Sequence, residues 1–170
     1  VRDLARRAKA HDMNFTIDAE EADRLELSLD VIDAVFADPS LHGWDGFGLA
    51  VQAYQKRAEA VIDHVHALAE QLDRRITVRL VKGAYWDTEV KRAQERGLAG
   101  YPVFTRKAMT DLNYIACARK LLALRPRIQP DQVDPVTGFD RRIDLAFGDR
   151  GQCGLELGHG VSRRQLAQEP

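Results

Sequence analysis

Hydrophobic and polar positions along this chain switch repeatedly between a period of two and the helical period. Residues 13 to 18 alternate, with Met13, Phe15 and Ile17 on one face and Asn14, Thr16 and Asp18 on the other, which predicts a strand. From 19 to about 36 the period is helical, with Leu25, Leu29, Ile32 and Phe36 as the apolar stripe, and Asp38-Pro39-Ser40 stops it. Gly43-Trp44-Asp45-Gly46 reads as a turn and residues 47 to 52 as a second strand. The cleanest helical signal covers 54 to 73, where Ala58, Val61, Ile62, Val65, Leu68, Ala69 and Leu72 share a face. Ile76-Thr77-Val78-Arg79-Leu80 is β-branched and alternating, which predicts a third strand. A short helix over 87 to 96, a loop at 100 to 104 and a helix over 105 to 124 follow, the last with Ala108, Leu112, Ile115 and Leu122 turned inward. Arg127-Ile128 could open a further strand, and residues 1 to 11 read as the end of a helix.

Alternation of strands and helices implies parallel strands joined by crossover helices. Three strands end on a polar residue placed opposite their bulky face: Asp18, Gln52 and Arg79. In a (β/α)8 barrel the bulky face packs on the outer helices, the other face points inward, and the C-terminal mouth holds the active site. The expected fold is therefore α/β, an incomplete (β/α)8 TIM-type barrel of three to four βα units. A doubly wound sheet is the alternative, but helices on both its faces would leave those polar groups less at home. Residues 129 to 170 change character, holding six of the 12 glycines and no apolar period. The expected organisation is a partial barrel over 1 to 128 and an irregular or disordered tail over 129 to 170.

The 170 residues suit one domain with a real core. A formal net charge of -1 provides no electrostatic footprint for nucleic acid or an anionic membrane. No apolar run is long enough to span a bilayer, and no secretory signal opens the sequence. The absence of an initiator Met suggests a start inside a longer protein. Cys117 and Cys153 have no CxxC spacing and fit reduced thiols of a cytoplasmic protein. His64 and His66 lie two apart on a helix and share no face, so no metal site is expected.

The candidate chemistry gathers around Arg79. A cation on a hydrophobic strand is costly unless something pairs with it. Lys82-Gly83-Ala84 then turns the chain into Tyr85 and Trp86. Four blocks, residues 15 to 24 (Phe15-Thr16-Ile17-Asp18 and onward), Val51-Gln52-Ala53-Tyr54-Gln55-Lys56-Arg57, Arg79 to Trp86, and Gly100-Tyr101-Pro102-Val103-Phe104-Thr105-Arg106-Lys107, resemble successive blocks of one family. It is the FAD-dependent proline dehydrogenase domain of the bifunctional proline utilization A proteins, and the resemblance runs over about 1 to 128. It implies a distorted (β/α)8 barrel with FAD at its mouth. L-Proline would pass a hydride to flavin N5 and leave as Δ1-pyrroline-5-carboxylate, with quinone reoxidising the flavin. It further implies a cytoplasmic protein with peripheral membrane association.

By the same resemblance, Arg79 would sit beside the flavin N5 edge and Gln52 at the pyrimidine end, Arg79 remaining a fixed cation at any working pH. Asp18 would pair with Arg79, or with a lysine on a strand not present here. Asp18-Ala19-Glu20-Glu21 also has the pattern of a helix N-cap, and both readings stand. Val81, Gly83 and Trp86 would line the cofactor, and Tyr85 would wall the proline ring. Thr105 and Lys107, at a helix start, would meet the FAD diphosphate or adenosine, although Thr105 also suits a plain cap. The family's late helix with its two carboxylate-binding arginines has no counterpart here. The rival expectation is a non-catalytic remnant that binds no flavin.

Overall fold

The structure, a computed structural model, describes residues 1 to 131. In order they form α1 (Arg2–Ala10), β1 (Phe15–Ile17), α2 (Leu25–Phe36), β2 (Phe47–Gln52), α3 (Ala58–Gln71), β3 (Ile76–Val81), α4 (Trp86–Glu95), α5 (Lys107–Ala123) and β4 (Ile128–Asp131). Single 3-10 turns at Ala22–Arg24 and Pro39–Leu41 complete the list. The four strands make one parallel sheet in sequential order β1-β2-β3-β4. Parallel crossovers are right-handed, so a sheet that adds each strand on the same side as the last must place its crossover helices on one face. This is a singly wound sheet, and a doubly wound one would need its strand order to reverse.

The register separates two faces. Phe15, Ile17, Phe47, Leu49, Val51, Ile76, Val78, Leu80 and Ile128 share the helical face. There Phe47 stacks on Phe36 of α2, with ring centroids 5.9 Å apart. Phe36, Phe47, Ile62, Ile76, Leu80 and Ile128 are fully buried and form the centre of the core. Burying each such side chain contributes roughly 1.5–3 kcal/mol. The opposite face carries Thr16, Gly48, Ala50, Gln52, Thr77, Arg79 and Val81. Gly48 is required there: a Cβ would lie 2.4 Å from the Thr77 carbonyl oxygen on the neighbouring strand.

Three expectations differ. The helix expected from residue 19 begins at Leu25. The backbone of 20 to 22 is held by side chains from elsewhere, which use the groups a helix would bond internally. Gln52 Nε2 donates to the Glu20 carbonyl at 2.8 Å, and the Ala22 amide donates to Glu89 at 2.6 Å. On α5 the inward face is Thr110, Tyr114, Cys117, Ala118 and Leu121, and the expected Leu112 is 60% exposed. Apolar residues ring this helix, so its period permits two faces. Polar contacts choose between them: Asn113 donates to the Ala53 carbonyl and Lys120 to Asp63 on α3. The final strand runs on to Asp131, so 129 to 131 are strand rather than irregular. The rest of the expected tail, 132 to 170, lies outside the described residues.

Candidate active site

The C-terminal ends of β1, β2 and β3 bring the predicted polar residues to one rim. Arg79 pairs with Ala50 in register, and continuing β1 by one residue puts Asp18 opposite Ala50 on the other side. Because Ala50 is small, the Arg79 guanidinium reaches over β2 and donates from Nη2 to the Asp18 carboxylate. Asp18 is therefore not a helix cap; its carboxylate belongs to Arg79. The Arg79 Nε–H is buried and has no partner among the described residues. An idle donor on a paired cation costs stability.

Gln52 is 3% exposed and ties two loops together. It donates to Glu20 beyond β1 and accepts from the Ala84 amide at 3.0 Å beyond β3. One N–H and one lone pair of its amide remain. Val81 lies opposite Gln52 at the end of β3, and its carbonyl takes the Ala53 amide. Gly83 has φ +137°, and a Cβ there would sit 2.2 Å from the Tyr54 ring. Both facts demand glycine. Tyr85 precedes α4 and is half-buried.

Beside this rim runs an open groove of about 390 Å³ lined by Tyr54, Lys82, Gly83, Trp86, Thr105, Lys107, Thr110 and Asp111. Four of these, Gly83, Trp86, Thr105 and Lys107, are predicted site residues. The Trp86 indole N–H donates to the Phe104 carbonyl at 2.9 Å, which fixes the ring along the wall. Thr105 is not the cap of α5; Arg106 holds that position and Lys107 opens the helix. Asp111 lies between two lysines, 2.7 Å from Lys82 Nζ and 2.5 Å from Lys107 Nζ. The hydrogen bond from Lys107, then that from Lys82, holds its carboxyl below the usual range. Two cations sharing one carboxylate leave a net positive site at the start of a helix, suited to an anion.

Sequence reasoning missed Tyr54, Lys82, Asp111 and Glu89. Lys82 and Asp111 carry a weak signal, since Lys107 and Asp111 are four apart on one helix. Tyr54 sits under Gly83 with its hydroxyl buried; burial foremost, then the Glu89 carboxylate, pushes it up to about 12. Cys117 is a core residue, as expected, and burial pushes its thiol up to about 11. Among the described residues no helix is long and apolar enough to cross a membrane, and no three His, Cys, Asp or Glu side chains gather as a metal site.

Comparison with known proteins identifies the family. The sequence profile described as proline dehydrogenase matches residues 1 to 136. The bifunctional protein PutA of Salmonella typhimurium is 54% identical over 130 residues, which is 76% of this chain and 10% of that protein. A crystal structure of a mutant Bradyrhizobium japonicum proline utilization A is 82% identical, with a TM-score of 0.75 over 76% of this chain and 13% of that one. Proline utilization A from Bdellovibrio bacteriovorus, inactivated by N-propargylglycine, keeps a TM-score of 0.73 at 32% identity over the same shares. The chain thus spans about a tenth of the length of these relatives. The matched span contains the Asp18–Arg79 pair and the two-lysine groove, and the chain belongs to the proline dehydrogenase family of flavin-dependent oxidoreductases.

Proposed function

We propose that this chain is part of the (β/α)8 barrel of an FAD-dependent proline dehydrogenase within a longer bifunctional proline-catabolic protein. The reaction is oxidation of L-proline to Δ1-pyrroline-5-carboxylate, with the electrons passed on to quinone. Quinone is membrane-borne, so the parent protein works in the cytoplasm against a membrane surface. The observation that carries the reading is the Asp18–Arg79 pair on the polar face of a singly wound sheet, with the Arg79 Nε–H unpartnered among the described residues.

The residues present fit FAD. The groove offers Lys82 and Lys107 for a diphosphate and Thr105 as a neutral donor, with the Trp86 ring and the bare backbone of Gly83 along its wall. When bound, FAD supplies the two-electron acceptor. Arg79 holds a fixed positive charge where electron density arrives, which is worth most in a site that needs no reorganisation. Asp18 keeps the guanidinium in place. Gln52 and Val81 edge the same rim, and Tyr85 shields the substrate ring from water.

The test is a flavin absorbance spectrum and proline-dependent dye reduction by the intact protein that carries this segment. Both are expected, and a colourless protein without turnover would overturn the reading. The chain alone is expected to be poorly soluble and to hold no flavin, since its four described strands form an open sheet. That open sheet also favours the second reading, a non-catalytic remnant, which predicts no flavin in either preparation.

A further inference from the structure

Glu89 is the one carboxylate of α4 that is buried, at 4% exposure, and it lies on the face of the helix from which Arg92 pairs with Glu21 and Arg96 with Asp23. Its Oε1 accepts the Ala22 amide at 2.6 Å, across 67 residues of sequence. Arg57 grips the other side of the same residue, donating to the Ala22 carbonyl at 2.8 Å. Gln52 takes the Glu20 carbonyl two residues earlier. Gln52, Arg57 and Glu89 thus hold the backbone, and Arg92 and Arg96 the side chains, of a segment that starts at Asp18 and ends in the 3-10 turn Ala22–Arg24. At its other end Glu89 sits one helical turn after Tyr85, its amide bonded to the Tyr85 carbonyl at 2.9 Å. Glu89 therefore joins the first turn of α4, next to Tyr85, to the backbone of the segment carrying Asp18, while the more exposed Arg92 and Arg96 pair with that segment's side chains further along the helix.

We propose that Glu89 is a positioning residue, which fixes the Asp18 loop against the first turn of α4 so that the Asp18 carboxylate stays in register with Arg79. Its effect on the flavin rests on the function proposed above; its effect on the Asp18–Arg79 pair does not. A hydrogen bond from a backbone amide to a buried carboxylate is among the strong ones, and losing it leaves two buried groups unpaired. Glutamine keeps an acceptor oxygen at the same reach, so Glu89→Gln preserves the tie, whereas Glu89→Leu abolishes it. Ala22→Pro removes the donor from the opposite side. Residue 22 opens a 3-10 turn after an extended Glu21 (φ -65°, ψ 155°), a backbone that accepts proline.

Two measurements decide it. In the full chain, hydrogen exchange over residues 18 to 24 and the rate of Arg79 labelling by phenylglyoxal are read by peptide mass. Glu89→Leu is expected to raise both by about tenfold or more, matching Asp18→Asn for the labelling, with Glu89→Gln near wild type. In the Ala22→Pro background Glu89→Leu is expected to add nothing. In the intact flavoprotein, Glu89→Leu is expected to move the flavin reduction potential in the same direction as Asp18→Asn, and Glu89→Gln to restore it. Unchanged Arg79 labelling in Glu89→Leu overturns the proposal, as does an additive effect of Glu89→Leu on Ala22→Pro. So does a flavin potential that moves in Asp18→Asn but not in Glu89→Leu. If the wild-type parent holds no flavin, the flavoenzyme reading falls and the labelling experiment alone decides the role of Glu89.

Discussion

Two arginines five residues apart, Arg74 just before β3 and Arg79 near its end, show how differently the sheet's two rims are built. Arg74 is 7% exposed and, unlike Arg79, forms no ion pair among the described residues. It donates to the carbonyls of Phe36, Leu41 and Trp44 and stacks over the Phe36 ring, 4.3 Å from its centroid. Those carbonyls lie at and beyond the end of α2, where the helix dipole favours a cation. Burial pulls its pKa below the ordinary guanidinium value. Arg79 is one-third exposed, holds a single carboxylate, and leaves Nε–H idle. The N-terminal rim is built to be satisfied from within, whereas the C-terminal rim keeps donors in reserve for something else. In barrel folds the first arrangement serves stability and the second chemistry.

The sharpest test of that contrast is Arg79→Met in the intact flavoprotein. Turnover with proline is expected to fall on the order of 100- to 1,000-fold, while urea unfolding moves by less than about 1 kcal/mol. Arg74→Ala is expected to do the reverse, costing about 3 kcal/mol in the same unfolding experiment by stranding several buried carbonyls. Turnover should hold at temperatures where the variant stays folded. Similar stability losses from both substitutions would erase the contrast. Gly83→Ala is expected to cost about 2 kcal/mol through backbone strain and the clash with Tyr54, seen as a lowered thermal midpoint. Asp111→Asn has the smallest effect, less than about 1 kcal/mol. The Asp111 carboxyl is held below its ordinary value, so its contribution is present above the ordinary carboxylate pKa of about 4 and is lost as pH falls through the lowered folded value. Unfolding curves of wild type and Asp111→Asn should therefore differ near neutral pH and converge in acid.

Strands were the most legible part of this chain in its sequence. Residues 47 to 52 were expected and observed as β2, because the bulky Phe47, Leu49 and Val51 alternate with the small Gly48 and Ala50 between turn residues. The need of Arg79 for an anion was also legible, but Asp18 as its partner came only with the family resemblance, and the residues by themselves suited a helix cap as well. What the periodicity did not reveal depends on contacts distant in sequence. Nothing local says that Ala22 will bond Glu89 rather than its own helix, or that Asp18 will decline the capping role its neighbours invite. The rotation of α5 escaped for a related reason: with apolar residues all round, only Asn113 and Lys120 distinguish one face from another. The groove's second lysine escaped because Lys82 and Lys107 are brought together only through Asp111.

The Asp18–Arg79 pair joins strands one and three, with β2 lying beneath it. Adjacent strands are about 4.8 Å apart, so the bond spans close to twice that distance. It ties together two strands that share no backbone hydrogen bonds, on the polar side of the sheet. A larger residue than Ala50 beneath it would stand in the way of that bridge. The charge pair that marks the rim is in this way also a strap across the middle strand.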